Sequence, residues 1–321
     1  MSAPVAFFAF NRPAHASRTL AALAQNPEAS STVLHVFIDG ARNDTERAAV
    51  DQVRKIATEA TGFLDVRIRC APENYGLYKS ITGGVSHVLS ESDRVIVVED
   101  DILVSPLFLK FMNAALDRYA EEPAVGSIHG YSPPVDDLPD FFFMRGGDCW
   151  GWATWADRWR LFDADANRLL HGLVSAKQID EFASVSGIHG LRHLIRRARC
   201  QNQSWAAHWN ASLFCHSRLT LHTGQSLVQN IGNDGSGTHS QASGHYETPM
   251  SNEYLSLPDM QIQHDAAAVA LMQGFYDSTL KIPFFPRTFR RLYFLLLKSQ
   301  AIVLARQYAT ALPGPVDTDQ D

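Results

Sequence analysis

Apolar and polar positions follow two alternating rhythms over the first hundred residues. Short apolar runs at 5–10, 33–38, 66–70 and 95–98 predict strands. Between them, residues 13–24, a stretch from the turn at Arg42-Asn43-Asp44-Thr45 to about residue 60, and residues 79–90 read as helices. A β-α-β-α-β-α-β order predicts a parallel sheet covered by helices on both faces, with ligands at the carboxyl ends of the strands. Further on, Phe108, Met112, Ala115 and Tyr119 recur as the packing face of a helix over 108–119. Strands are expected at 125–129 and 141–144, and residues 163–200 read as helical and polar.

Val95, Ile96, Val97 and Val98 have no polar face, which suits a central strand buried on both sides, and Glu99, Asp100 and Asp101 follow without a break. Adjoining carboxylates repel one another and are costly to desolvate, so they need open water, hydrogen-bond donors or a cation. A solvated acidic turn is the plain account. The buried strand in front and Pro106 behind favour a divalent metal that also touches phosphate, because hard oxygen ligands suit it. Two other strand ends meet the same edge and bring Asn11-Arg12 and Asp39-Gly40. A nucleotide there would want a carboxylate for ribose or base, a cation for phosphate and a metal for diphosphate. Taken singly, Arg12 and Asp39 serve equally well as helix caps or as each other's partner. A dinucleotide-binding sheet is disfavoured, since Phe10-Asn11-Arg12-Pro13-Ala14 stands where G-x-G-x-x-G would.

Composition narrows the classes. With 321 residues, 45% hydrophobic and 19% charged, the chain can bury one large core or two modest ones. A formal net charge of −6 argues against a nucleic-acid partner, which surplus Lys and Arg would hold. Cys70, Cys149, Cys200 and Cys215 lie far apart with no C-x-x-C pair, so neither a zinc site nor a disulfide framework is signalled and a reducing cytoplasm is expected. The N-terminus lacks a charged n-region, and Arg12 stands where a signal peptide's apolar core would continue. No apolar run reaches the roughly 20 residues of a bilayer span, so a cytoplasmic protein is expected, soluble or peripheral on an inner membrane.

Four motifs, Ala9-Phe10-Asn11-Arg12-Pro13, Phe37-Ile38-Asp39-Gly40, Asn74-Tyr75-Gly76-Leu77 and Val97-Val98-Glu99-Asp100-Asp101-Ile102, together resemble GT-A glycosyltransferases. The chain is similar in particular to the branch containing the eukaryotic N-glycan-branching N-acetylglucosaminyltransferase I, and to related bacterial surface-polysaccharide transferases. The likeness runs from about residue 4 to about residue 245. It implies an α/β, Rossmann-like GT-A fold, a mostly parallel sheet flanked by helices. The expected division is a catalytic domain over 1–250, split into nucleotide-binding (1–105) and acceptor-binding (106–250) halves, then a C-terminal helical extension over 251–312 and a disordered acidic tail over 313–321. The resemblance also implies metal-dependent, inverting transfer from a nucleotide-diphosphate sugar to a glycan or glycolipid acceptor, in the synthesis of a bacterial surface polysaccharide. By motif, Asp101 would bind Mn²⁺ or Mg²⁺, Asp100 and Glu99 would face the donor's sugar and ribose, and Arg12, Asp39 and Asn74 would belong to the nucleotide site.

The later motifs are less specific. Trp150, Trp152, Trp155 and Trp159 fall within ten residues, among small Gly151, Ala153 and Thr154. Trp155 and Trp159 are expected on a helix and in the core, whereas Trp150 and Trp152, beside glycines, are the candidates for a wall on which a sugar stacks. This stretch also resembles the acceptor-side element of the bacterial relatives. Asp148 just before it would reach the reacting sugar or cap the next helix. In Ser204-Trp205-Ala206-Ala207-His208-Trp209 the chain departs from its eukaryotic relatives, which carry a general-base Asp after the first Trp where Ala206 stands here. His208 and Asp148 are the alternative bases, with Asp157 more remote, and a buried hydrogen-bonded histidine is the plain reading of His208. Arg192, Arg196, Arg197 and Arg199 near His193 form a solvated face or a site for an anionic acceptor.

In the loop over 229–239, the three glycines Gly232, Gly235 and Gly237 and Ser236 with Thr238 would let backbone N–H groups approach phosphate and His239 would complete a metal or diphosphate contact, unless the loop is merely flexible surface. It resembles the loop that orders over the donor in the relatives. Residues 283–306 make a basic, apolar helix or pair of helices suited to a membrane interface, to the catalytic domain or to a second subunit of a homo-oligomer. Two other functions share these features. A nucleotidyltransferase shares the sheet and acidic site but wants a Gly-rich basic loop after the first strand. A non-catalytic carbohydrate-binding or scaffold relative is kept open by Ala206.

Overall fold

The computed structural model describes residues 2–233, 246–253, 256–279 and 287–311. The first half runs β1 (Val5–Ala9), α1 (Pro13–Ala24), β2 (Val33–Ile38), α2 (Asp44–Thr58), β3 (Asp65–Cys70), α3 (Gly76–Glu91) and β4 (Arg94–Glu99). These are the alternating elements expected. All three pairings, β3 with β2, β2 with β1 and β1 with β4, are parallel. The unbroken apolar runs of β1 and β4 follow from burial on both faces. Val5, Phe7, Ile96 and Val98 point into one core with α1 and α2, and Ala6, Phe8, Val95 and Val97 into another with α3. Asn43 starts α2 by accepting a hydrogen bond from the Glu46 N–H at 3.1 Å, the cap that the turn in the sequence signals. β3, on the open edge, carries Asp65, Arg67 and Arg69, charges that discourage edge-to-edge pairing.

The second half completes an eight-stranded sheet in the order β3-β2-β1-β4-β8-β6-β9-β7. Its members are β6 (Val125–His129), β7 (Phe141–Arg145), β8 (Trp152–Trp155) and β9 (Leu219–Thr223). β8 runs antiparallel to both β4 and β6, and β7 antiparallel to β9. The short strands β5 (Ile102–Val104) and β10 (Val228–Asn230) pair separately just beyond β4. α4 (Phe108–Arg118) covers one face of the sheet. After the short α5 (Ala156–Trp159), the polar stretch expected as helix over 163–200 is α6 (Ala166–Ser175), α7 (Ile179–Val185) and α8 (Gly187–Ala198), and then comes α9 (Trp205–Cys215). α9 is buried nearly all round, so it has no polar stripe and no amphipathic period to reveal it in sequence.

The chain closes with α10 (Ala266–Thr279) and α11 (Arg287–Ala311). Leu297 and Ala301 of α11 share a core with Leu169, Leu173, Leu191 and Leu194 of α6 and α8, so the appendage is docked. The fold is therefore the expected α/β class, a mostly parallel sheet flanked by helices with a helical C-terminus.

One expected element changes type. Trp155 is the last residue of β8 rather than helical, because β8 is an inner strand held on both sides by ladders.

Candidate active site

β1, β2 and β4 end at the same edge, and the acidic triplet stands there. The Arg12 guanidinium bridges Asp100 and Asp101, lying 2.9 Å from Asp101 Oδ2. Asp100 is buried, its Oδ2 accepts from the Phe10 N–H at 3.4 Å, and its carbonyl accepts from the Thr19 hydroxyl at 2.8 Å. Three carboxylates thus share one cation. Burial, with Asp101 and Asp100 adding repulsion and Arg12 opposing, pushes the Glu99 pKa up to about 8. Burial raises Asp100 to about 6, with Arg12 again opposing. The guanidinium, expected at a phosphate, pairs here with both carboxylates.

β10 delivers a short segment across the triplet. The Ile231 N–H donates to the Asp101 carbonyl at 2.8 Å, and Asn230 accepts from the Gly232 N–H at 2.8 Å. A Cβ on Gly232 would lie 2.3 Å from Asp101 Oδ2 and 3.0 Å from Arg12 Nη1, so only glycine lets the segment pass this close. Thr19 gave no signal in the sequence, since a buried threonine on a helix has none; Gly232 is the first of the three glycines expected to approach phosphate, and it packs against Asp101. Gly235, Ser236, Gly237, Thr238 and His239, expected to contact phosphate or metal, lie outside the described residues.

Asp39 takes the helix-capping role, one of the two weighed for it. Its two oxygens accept from the Gly40 N–H (2.9 Å), the Asn74 amide (3.0 Å), the Tyr75 N–H (2.7 Å) and the Gly76 N–H (2.9 Å). Tyr75 and Gly76 open α3, which has no side-chain cap of its own, so Asp39 caps that helix from the end of β2. Asn74, expected in the nucleotide site, braces the same loop by donating to Asp39 and to the Gly40 carbonyl at 2.8 Å. Four donors satisfy the Asp39 carboxylate.

The tryptophans divide. Trp152 is corrected from sugar wall to core: it is fully buried, with its ring 5.3 Å from that of Trp205 and 5.6 Å from that of Trp209. As an inner-strand residue it points into the layer covered by α3 and α9. Trp155 and Trp159 are buried as expected. Trp150 is half-buried, edge-on to Tyr131 at 4.7 Å and to Tyr246 at 5.7 Å. Since Val97 pairs with Trp152 antiparallel, the residues just before β8 run up beside the carboxyl end of β4. The Cys149 thiol there is pushed well up by burial and then by Asp148, Glu99 and Asp101.

Asp148 keeps a side chain 37% exposed, 3.7 Å from His129 Nε2, and its pKa is raised by burial while His222 and the Cys149 N–H oppose. It opens onto a recess of about 250 Å³ bounded by Gly147, His193, Ser204, Ala206 and Asn210. His208 is corrected from candidate base to structural residue. It is buried, its Nδ1–H donates to the Asp163 carbonyl at 2.8 Å, and its Nε2 accepts from Arg197 at 2.9 Å, so neither nitrogen is available. The neighbouring arginines are dispersed, Arg197 over the Tyr78 ring at 4.5 Å and Arg199 donating to Gln300 at 3.1 Å.

Among the described residues no group of three His, Cys, Asp or Glu side chains forms a metal cage. The triplet nevertheless fits a hard divalent cation of another kind, bound through one carboxylate and completed by phosphate oxygens and water. Its negative surplus favours such an ion, and Asp101, 17% exposed, is the accessible ligand.

No protein-family model matches the chain, and no curated protein matches it. Solved structures resemble it distantly. The mannosyltransferase PcManGT from Pyrobaculum calidifontis, in complex with GDP-Man and Mn²⁺, is 11% identical over 98% of this chain and 77% of that one, with a TM-score of 0.36. Staphylococcus aureus TarS is 14% identical over 49% of this chain at a TM-score of 0.34, and the match spans only 28% of the TarS chain. Glucosyl-3-phosphoglycerate synthase from Mycobacterium tuberculosis, in complex with Mn²⁺, UDP and glucosyl-3-phosphoglycerate, is 12% identical over 50% of this chain and 58% of that one, with a TM-score of 0.31. At these scores the likeness assigns neither family nor activity.

Proposed function

We propose that the protein is a divalent-metal-dependent glycosyltransferase that moves a sugar, hexosyl or N-acetylhexosaminyl, from a nucleotide-diphosphate donor to a glycan or glycolipid acceptor. The observation that carries this reading is the Glu99-Asp100-Asp101 cluster at the carboxyl end of a central strand, where Arg12 is the cation that pairs with it among the described residues. Asp101 would hold Mn²⁺ or Mg²⁺, which neutralises charge on a departing diphosphate. Arg12 holds Asp100 and Asp101 in place, and Glu99 and Asp100 face donor hydroxyls as acceptors. Trp150 supplies an aromatic edge beside them.

Asp148 is our general base. The resemblance implies a base at the position of Ala206, and Ala206 lines the same recess as Asp148, so a carboxylate still borders it. Its burial-raised pKa makes it a better proton acceptor than an ordinary aspartate. Inversion at the anomeric carbon and bacterial surface-polysaccharide synthesis complete the reading by resemblance, and the scattered cysteines favour a cytoplasmic site.

Incubation with a panel of nucleotide sugars and Mn²⁺ tests it. Donor hydrolysis or transfer is expected, falling roughly a hundredfold or more in Asp101→Ala and in Asp148→Asn. Tight donor binding with no turnover under any acceptor would overturn the enzymatic reading in favour of a carbohydrate-binding relative.

A further inference from the structure

α11 is apolar on two opposite sides. Leu297, Ala301 and Ala305 are at most 4% exposed, and Leu297 and Ala301 share the core of α6 and α8. Arg199 donating to Gln300 at 3.1 Å and Lys298 donating to Asp180 at 2.6 Å secure that docking from its borders. Half a turn away lie Leu292, Leu296 and Val303, with Leu295 beside them, and these are 59%, 53%, 49% and 49% exposed. Their spacing keeps them on one face of the helix, so they form a stripe and not scattered surface leucines. A contiguous apolar stripe of this kind on a water-facing helix marks a surface that something covers.

Charge says what covers it. The sequence of α11 holds five Lys or Arg residues, Arg287, Arg290, Arg291, Lys298 and Arg306, and no Asp or Glu, in a chain whose formal net charge is −6. Arg291 and Arg306 are exposed beside the leucines. Lys298 is already answered by Asp180, so a second copy docking face to face would set Arg291 and Arg306 against their own kind with no carboxylate on the helix to answer them. Negatively charged headgroups over an acyl layer answer both features: the leucines enter the apolar boundary, and the arginine stems lie along it with their heads at the phosphates. None of the helices among the described residues is long and apolar enough to cross a membrane, so the contact would be in the plane of the surface.

We infer that the outer face of α11 lies in the interface of a membrane containing anionic lipids. The full chain should be spun with vesicles of phosphatidylcholine alone and with phosphatidylglycerol added. Partitioning onto the anionic vesicles is expected to be about tenfold stronger or more and to fall with salt. Leu292→Glu with Leu296→Glu should abolish it while leaving the thermal melt unchanged, since both positions are exposed. Arg291→Glu with Arg306→Glu should remove the preference for anionic vesicles, each arginine contributing about fivefold. Should the double leucine variant lose its fold, Leu292→Gln serves with the same expectation in weaker form. Equal, weak sedimentation with both vesicle types overturns the inference. So does a lipid-free dimer in sedimentation velocity that the leucine variants split.

Discussion

At the scale of single residues, the site holds three carboxylates around one guanidinium, and beside Asp148 lie buried rings that refuse charge. His129 and His222 sit 3.3 Å apart, Nδ1 to Nδ1, and burial lowers each from 6.5 to about 3. The Trp150 N–H donates to His129 Nε2 at 3.2 Å, so the proton of His129 is on Nδ1 and His222 accepts it. In the unfolded chain both rings take up protons below 6.5, so their contribution is present above 6.5 and is lost as pH falls through about 3. Glu99 acts in the other direction. Its folded pKa of about 8 against an ordinary 4.5 makes its contribution present below 4.5 and lost as pH rises through 8. Urea midpoints measured across this range should therefore pass through a maximum between the two arms. His222→Gln should flatten the acid arm and Glu99→Gln the alkaline one. Mn²⁺ should raise the midpoint more at the alkaline end, where it no longer competes with protons. His208→Gln, by contrast, should lower the melting temperature and leave the pH profile of turnover in place, since both its nitrogens are engaged in the fold.

At the scale of elements, the edge of the sheet is built by strand ends that serve one another's helices. Asp39 leaves β2 to cap α3, and Gly40 passes so close to the next loop that a Cβ would lie 2.4 Å from the Glu73 carbonyl carbon. Asp39→Ala strands four donors and should cost about 3 kcal/mol in urea unfolding, and Gly40→Ala, forced against backbone, about 2 kcal/mol. Asp101→Ala should leave stability nearly unchanged and remove activity. That contrast separates the carboxylate that builds the loop from the one that serves the reaction. The same logic explains the tryptophans. β8 is an inner strand, so Trp152 and Trp155 go to opposite buried faces, and only Trp150, one residue before the turn at Gly151, is left near the cleft.

At the scale of the molecule, the helical C-terminus shares a core with the second half of the sheet. Leu297→Ala should cost about 3 kcal/mol and shift a single cooperative transition, because its neighbours lie in α6 and α8 and not in a separate unit. The first four strands, their three helices and the acidic triplet were legible in the sequence because each is a local pattern. Unbroken apolar runs mean burial on two faces, helical spacing means one, and three adjoining carboxylates are a charge problem wherever they stand. α9 was not legible, since a helix buried all round has no contrast between its sides. Nor were the roles of Asp39, Trp152 and His208, whose residue types suit chemistry and structure alike. What decides between those uses is which partners arrive from distant parts of the chain: Tyr75 and Gly76 on Asp39, Arg197 and Asp163 on His208, Trp205 and Trp209 on Trp152. Sequence by itself determined where charge and apolar surface lie along the chain. Only the tertiary structure decided which charges remain without a partner, because a hydrogen bond or a packed ring depends on proximity in space, which composition and spacing do not encode.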